Sequence, residues 1–296
     1  VSLVPGSGTA WFHLGNMELE LGNADGARDA LEHFVAIAPS SGEGHERLGV
    51  ALEQMGFFAR AEVAFLQAIT LGTSKPGVWF RTGMVRERLW NLEGAVEAYM
   101  KALEGDPRDS RVWFQLGRCE SARGRPAEAL APLRHALEVP HRYGHEVHHL
   151  LGVALAALHR PDEAIAEFRK ALALRPDYTR SRVGLAGLLA ETGRLDEALA
   201  EWQRALERPG PLLGAILTGL GDTLRRLGRT PEAQEVLRRA AEVGPGRNPS
   251  HSERGAAFAR QGREFSSQPA EAGGLVADAE AARPGPRGGE GVGVER

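Results

Sequence analysis

The sequence is short of several features that mark particular classes of protein. It contains one cysteine, Cys119, which excludes an intrachain disulfide. Its lysines are Lys75, Lys101 and Lys170, and the formal net charge is -3, so no basic field attracts nucleic acid or an anionic membrane surface. No run approaches the roughly 18 apolar residues that span a bilayer, and no signal-peptide pattern precedes residue 9. These absences predict a cytoplasmic protein with no nucleic-acid partner and no membrane insertion.

What the sequence does contain is a repeat of 34 residues that runs from about residue 8 to residue 245. One alanine recurs in every cycle: Ala27, Ala61, Ala95, Ala129, Ala164, Ala198 and Ala233. A glycine recurs upstream of it, with a single replacement by alanine: Gly15, Gly49, Gly83, Gly117, Gly152, Ala186 and Gly221. This period is typical of a solenoid, in which stacked units form an extended binding surface.

Each cycle has the spacing of two helices. In the cycle that begins at residue 76, Trp79 and Gly83 share a stripe of one segment, and Ala95, Tyr99 and Ala102 share a stripe of the next. A glycine inside a helix costs roughly 1 kcal/mol relative to alanine. We therefore expect the repeated glycine to allow close approach of the partner helix. Further glycines end the first helices, where a left-handed residue is favoured: Gly22, Gly56, Gly124, Gly193 and Gly228.

The pattern resembles the tetratricopeptide repeat (TPR), through Trp11-x-x-Leu14-Gly15, Trp113-x-x-Leu116-Gly117 and Leu151-Gly152. The resemblance implies an all-α fold, a right-handed α-solenoid (TPR superhelix) of antiparallel helix pairs. We predict an N-terminal extension over residues 1–7 and a polar C-terminal capping helix over 246–263. A disordered tail follows over 264–296. Seven repeats fill residues 8–245, with starts near residues 8, 42, 76, 110, 145, 179 and 214.

In this family the first helices line the concave face, and the resemblance implies which side chains point into the groove. Repeats 1 to 4 mix aromatic, basic and acidic residues there, whereas repeats 5 and 6 present small apolar residues. We predict a peptide-binding groove formed by Phe12, Asn16, Arg47, Phe80, Arg81, Arg88, Arg111, Phe114, Arg118, Leu150, Val153 and Val183. For each phenylalanine, packing in the core remains an equal alternative.

Two recognition patterns of the family are largely missing. The clamp for a C-terminal carboxylate needs lysine, asparagine and arginine at set positions, and of the corresponding residues only Asn16 and Arg81 match. A ladder of asparagines along the first helices is absent as well, because His13, Arg47 and Arg81 begin that series. We therefore do not expect the groove to bind a chaperone tail.

One motif has the form of a metalloprotease site. The segment His145-Glu146-Val147-His148-His149 satisfies H-E-x-x-H, in which two histidines bind zinc and the glutamate acts as a base. The motif falls where the first helix of the fifth repeat should begin, with no third ligand implied. We predict that His145 and His149 are solvated or core histidines, with adventitious metal binding as the alternative. Cys119 is expected to be a buried structural thiol.

The sequence as a whole predicts a non-catalytic protein–protein interaction scaffold or adaptor with no cofactor, whose partner is a protein or peptide. The alternative is a substrate-recruiting TPR arm of a larger enzyme whose catalytic domain lies outside this chain. Self-association remains possible, because the end repeats of solenoids can stack.

Overall fold

The computed structural model describes residues 7–139 and 143–243. Within these ranges the chain forms fourteen α-helices, a single 3-10 turn at Gly210–Leu212 and no strand. The predicted capping helix over 246–263 and the tail over 264–296 lie outside the described residues, as does the extension before Ser7. Seven first helices are α1, α3, α5, α7, α9, α11 and α13, spanning Gly8–Glu20, Gly42–Gln54, Pro76–Arg88, Ser110–Ala122, Gly144–Ala157, Thr179–Glu191 and Leu213–Arg226. Seven second helices are α2, α4, α6, α8, α10, α12 and α14, spanning Ala24–Ile37, Phe58–Thr70, Leu92–Gly105, Pro126–Ala136, Pro161–Leu174, Leu195–Leu206 and Thr230–Val243.

The helices pack in chain order as two layers. Each first helix packs against the second helix of its own repeat, and each second helix packs against the first helix of the next repeat. First helices also contact each other, as in the pairs α1 with α3 and α7 with α9. The predicted all-α solenoid of helix pairs is confirmed. Among the described helices, none combines the length and apolar character needed to cross a membrane.

The repeated glycine makes room for a large side chain on the second helix. A Cβ added to Gly83 would lie 2.5 Å from Cε1 of Tyr99, a side chain that is fully buried. The sixth repeat tolerates Ala186 because its large residue, Trp202, lies instead against Gly219 of the following first helix. The Trp202 indole N–H donates a hydrogen bond to Thr223 Oγ1 at 3.1 Å, which holds the ring in that position.

The turn inside each repeat needs one left-handed residue. Five repeats use the glycines predicted from sequence, each with a positive φ. The other two place Trp90 (φ 59°) and His159 (φ 55°) there, although side chains with a Cβ are strained in this conformation. Asn23 and Asn91 cap the helices that follow their turns by accepting hydrogen bonds from the backbone N–H of Gly26 and Gly94.

Candidate functional site

The first helices of repeats 2 to 4 are tied together by ion pairs along their shared layer. Arg81 Nη1 donates to Glu53 Oε2 at 2.7 Å, which links α5 to α3. Arg118 Nη2 donates to Glu87 Oε2 at 2.9 Å, which links α7 to α5. The Tyr99 hydroxyl donates to the same Glu87 oxygen at 2.7 Å, and burial together with this carboxylate raises the tyrosine pKa far above its usual value. These contacts fix the spacing between neighbouring first helices.

The five arginines predicted to face the groove are therefore not equivalent. Arg81 and Arg118 are paired as described, and Arg111 Nη2 lies 2.7 Å from Asp109 Oδ2. The Arg111 hydrogen bond is the main reason that the pKa of Asp109 is lowered. Within the part of the chain that the structure describes, Arg47 and Arg88 have no carboxylate partner. Arg88 is exposed, whereas Arg47 is half-buried.

Arg88 forms the rim of a cavity of about 160 Å³ between α3, α4 and α5. Its guanidinium lies 5.2 Å from the centre of the Phe58 ring, in a cation–π contact. The lining residues are Glu53, Gln54, Phe58, Arg81, Met84, Val85 and Arg88. Phe58 and Met84 give the cavity an apolar wall, and the two arginines stand at its polar side. Arg81 is paired with Glu53, so Arg88 is the cation of this lining that has no carboxylate partner among the described residues.

Four buried polar atoms on the first helices have no hydrogen-bond partner among the described residues: Asn16 Oδ1, Glu46 Oε2, Arg47 Nε and Gln115 Oε1. Three of them lie on the adjoining helices α1 and α3. The nearest cation to Glu46 Oε2 is Lys75 Nζ at 3.7 Å, beyond hydrogen-bond distance. These atoms are enclosed by the protein, so they are unsatisfied groups at the helix interfaces and not open contact points for a ligand.

The predicted aromatic anchors are mostly part of the core. Phe114 is 5% exposed and stacks on Tyr143 with ring centres 5.5 Å apart, so it takes the core position that was one of its two alternatives. Tyr143 immediately precedes α9, and the sequence does not indicate that its ring covers Phe114. Phe12 is half-buried against Phe34 at 4.9 Å, and Phe80 is half-buried against Tyr99 at 5.9 Å.

Phe80 nevertheless contacts an exposed charged side chain. The Arg111 guanidinium lies 5.8 Å from the Phe80 ring centre. Phe58 also lines the cavity but was not among the predicted residues, because it lies on a second helix and the prediction used first helices alone. The adjacent aromatic pair Phe57–Phe58 at the start of α4 was the available signal.

The apolar stretch of repeats 5 and 6 is less open than predicted. Val153 is 44% exposed, whereas Leu150 and Val183 are half-buried and pack on the core. Val183 joins the cluster around Phe168 and Leu185. Of the three predicted apolar contact residues, Val153 is the one that solvent reaches freely.

The H-E-x-x-H segment forms the start of α9, and its histidines have protein partners. His145 Nε2 lies 3.3 Å from Arg175 Nη1, and His149 Nδ1 lies 3.1 Å from the Ser181 hydroxyl. Both rings meet the ring of Tyr178 edge to face. Burial, aided by nearby positive charge, lowers the pKa of His149 to about 4. Across residues 7–139 and 143–243, no three His, Cys, Asp or Glu side chains come together to hold a metal ion.

Cys119 is buried in α7, where its thiol donates to the carbonyl oxygen of Leu92 at 3.4 Å. Burial raises the pKa of this thiol to about 12, so almost no thiolate forms at neutral pH. The residue therefore serves packing between repeats.

A wider depression of about 390 Å³ lies among the turns of repeats 3 and 4, lined by Trp90, Asn91, Leu92, Glu93, Arg123 and Arg125. Arg123 already donates to Glu120 and Glu93. These ion pairs neutralise Arg123 and Glu93, two of the charged residues that line the depression.

Comparison with known proteins places the chain in a family. One tetratricopeptide repeat model matches residues 1–42, 46–109 and 218–285, which together make up more than half of the sequence. The chain belongs to the tetratricopeptide repeat family. Two further models of the same repeat match residues 98–131 and 155–210. Human tetratricopeptide repeat protein 7B is 28% identical over 115 residues, a match that covers 39% of this chain and 14% of that protein.

Solved TPR structures share the fold at low sequence identity. The C-terminal part of a TPR protein from Cytophaga hutchinsonii superposes with a TM-score of 0.65 at 15% identity, covering 83% of this chain and 98% of that one. A TPR protein from Parabacteroides merdae gives 0.60 at 14% identity, covering 86% and 98%. YrrB, described as a TPR protein with an unusual peptide-binding site, gives 0.52 at 23% identity, covering 68% and 98%.

Proposed function

We propose that this TPR protein is a non-catalytic interaction scaffold that binds a peptide segment along the first helices of repeats 1 to 4. The observation that carries the proposal is the cavity lined by Phe58 and Met84, with Arg88 unpaired at its rim. An apolar anchor in a pocket with a charge-assisted contact beside it is the usual form of a binding hot spot.

The half-buried side chains of Asn16 and Arg47 continue the same layer of first helices towards α1. The peptide-binding site described for YrrB supports peptides as a class of ligand for this fold. We infer a partner segment with one large apolar side chain and a neighbouring carboxylate that meets Arg88 or Arg47.

The carboxylate clamp of the family does not serve this purpose here. Arg81, one of its two matching residues, is already bound to Glu53. A bound carboxylate would have to replace that contact, whereas Arg88 and Arg47 need no such exchange. The carboxylate that the groove would recognise therefore lies beside the apolar side chain that fills the cavity.

The test is selection of peptides on the intact protein. A random peptide library is panned on the wild-type chain, and selected peptides are labelled for fluorescence anisotropy. We expect enrichment of an apolar residue next to an acidic one. Arg88→Glu should weaken binding at least tenfold, because it reverses the charge that meets the peptide.

Arg169→Glu is the matched control. Arg169 lies on α10, in the second-helix layer, and pairs with Glu197 at 3.0 Å on the surface. Its reversal should leave peptide binding unchanged while imposing a similar change in net charge. Equal binding by the wild type and by Arg88→Glu, or failure to select any peptide, would contradict the proposal.

The alternative function is a recruiting arm of a larger enzyme, which would use the same groove. It predicts a catalytic domain in the longer reading frame, and the same peptide segment within that enzyme's substrate. Sequencing of the complete gene separates the two functions.

A further inference from the structure

The cavity between α3, α4 and α5 has a lining whose chemistry favours one kind of occupant. Val85 is the single branched aliphatic residue among those that line it, and Val85 is fully buried. The remaining apolar surface comes from the Phe58 ring and the Met84 thioether, and Arg88 adds a guanidinium. A side chain that enters the cavity therefore meets an aromatic ring, a sulfur atom and a cation.

Each of these three groups interacts more favourably with an aromatic ring than with an aliphatic side chain. Two rings attract each other beyond the effect of buried area, because the positive edge of one meets the negative face of the other. A thioether sulfur near a ring makes a further favourable contact. A guanidinium is attracted to the negative face of a ring. The lining thus favours aromatic character in addition to apolar surface.

Arg88 is already placed for such a contact. Its guanidinium lies 5.2 Å from the centre of the Phe58 ring. Arg88 is exposed and has no carboxylate partner among the described residues, whereas Arg81 is paired with Glu53 at 2.7 Å. Because a guanidinium is planar and stacks on aromatic faces, a second ring beside Phe58 can contact Arg88 without breaking an ion pair.

The volume of the cavity agrees with one ring. It measures about 160 Å³. An apolar cavity of about 150 Å³ is large enough to bind benzene. A single phenyl or phenol ring therefore fits between Phe58 and Met84.

The residues that create this lining are not demanded by the repeat. The equivalent positions of the two neighbouring repeats hold other residues: Ala24 and Leu92 for Phe58, Val50 and Arg118 for Met84, Gln54 and Ala122 for Arg88. None of these is aromatic or contains sulfur, yet the helices of those repeats pack in the same order. The combination of ring, thioether and unpaired cation is therefore a local feature of this cavity.

We infer that the cavity selects an aromatic side chain, phenylalanine or tyrosine, as the anchor of the partner peptide, with a neighbouring carboxylate that pairs with Arg88. The inference rests on the proposed function, because it names the anchor of the same groove. It distinguishes this cavity from an ordinary apolar groove, which would accept leucine equally well.

The probe is N-acetyl-phenylalanine, which carries one ring and one carboxylate. The readout is NMR spectroscopy of the full chain with isotope-labelled methionine methyl groups. The chain has four methionines: Met17, Met55, Met84 and Met100. A ring in the cavity should shift the Met84 signal saturably through its ring current. The exposed Met17 and Met100 do not line the cavity, so their signals should stay in place. Met84→Leu assigns the signal by removing it.

A matched compound isolates the aromatic contribution. N-acetyl-cyclohexylalanine has the same carboxylate and a saturated ring of similar size. It should bind roughly two- to tenfold more weakly than the phenylalanine compound, although it is the more apolar of the two. Phe58→Leu should abolish this preference. Phe57→Leu, which changes a half-buried neighbour outside the lining, is the control and should retain it. Circular dichroism confirms that both variants are folded.

Two results would overturn the inference: the absence of a saturable Met84 shift, or binding of the saturated compound that equals or exceeds that of the aromatic one. The library selection separates this inference from the proposed function. Selected peptides that depend on Arg88 but carry leucine as their anchor would refute the aromatic preference and leave the scaffold function standing. A shifted Met84 signal without any selected peptide would refute the scaffold function alone.

Discussion

Two glycines in α11, three residues apart, allow the packing of the repeats to be measured directly. A Cβ on Gly184 would lie 2.8 Å from Cζ and 2.9 Å from Cε1 of Phe168, whereas a Cβ on Gly187 meets no atom within 4 Å. The Phe168 ring has little room to move, because it is 2% exposed and also lies against Gly152, where a Cβ would be 2.7 Å from Cδ1 and Cε1 of the same ring.

Gly184→Ala and Gly187→Ala gain the same helix propensity, but only Gly184→Ala creates a steric overlap. Gly→Ala inside a helix stabilises by about 1 kcal/mol in both cases. Gly184→Ala also forces an overpacked contact that costs about 1–3 kcal/mol. We therefore expect Gly187→Ala to stabilise the protein, and the two variants to differ by about 1–3 kcal/mol in the free energy of unfolding.

The assay is urea unfolding followed by circular dichroism, with hydrogen exchange of α10 and α11 as a local readout because solenoids can unfold in sections. The double variant Gly184→Ala/Phe168→Leu should be more stable than the sum of its single changes, since the smaller side chain gives room to the new methyl group. A difference below about 0.5 kcal/mol between the two alanine variants would refute the steric account.

Three further predictions concern strain, pH and thiol reactivity. His159→Gly should stabilise the fold by about 0.5–1 kcal/mol in urea unfolding, because glycine removes the cost of a positive φ, while Gly193→His should destabilise it. The pKa of His149 falls from 6.5 to about 4 on folding, so stability is complete above pH 6.5 and is lost as the pH falls towards 4. The loss is about 3 kcal/mol, and His149→Gln should flatten this part of the pH profile without removing a partner for Ser181; an unchanged profile would contradict the assignment. Cys119 should resist a thiol-specific reagent at pH 8 in the native protein and react fully in urea; rapid native labelling would show that the thiol is accessible.

The periodic residues allowed the fold to be predicted in some detail. Period and helical spacing are local properties of the chain, and they led to the all-α solenoid of helix pairs that the structure confirms. The glycine and alanine positions also indicated where helices approach each other. The spacing could not indicate which large side chain fills each gap, as Trp202 shows by packing against the next repeat.

The candidate site was predictable only in outline. First-helix positions predicted Arg47 and Arg88, and that prediction stays open. For Phe114 the structure decides between the two alternatives in favour of the core, because Tyr143 covers it. Phe58 was not predicted to line the cavity, because its position there depends on how α4 meets α5. In both cases the exposure of a side chain depends on neighbours that are distant in sequence.

The sequence by itself determined that this protein is a stack of helix pairs, because each repeat carries the same spacing of small and large residues. Tertiary structure decided which of the arginines pair between helices. Arg81 and Arg118 look like Arg47 and Arg88 in the sequence, yet they are bound to Glu53 and Glu87 on neighbouring helices. It also decided that Met17 is exposed, although residues at the same position of later repeats, such as Val85 and Cys119, are buried. The physical reason is that pairing and burial depend on what the neighbouring helix presents, and the repeat pattern does not contain that information.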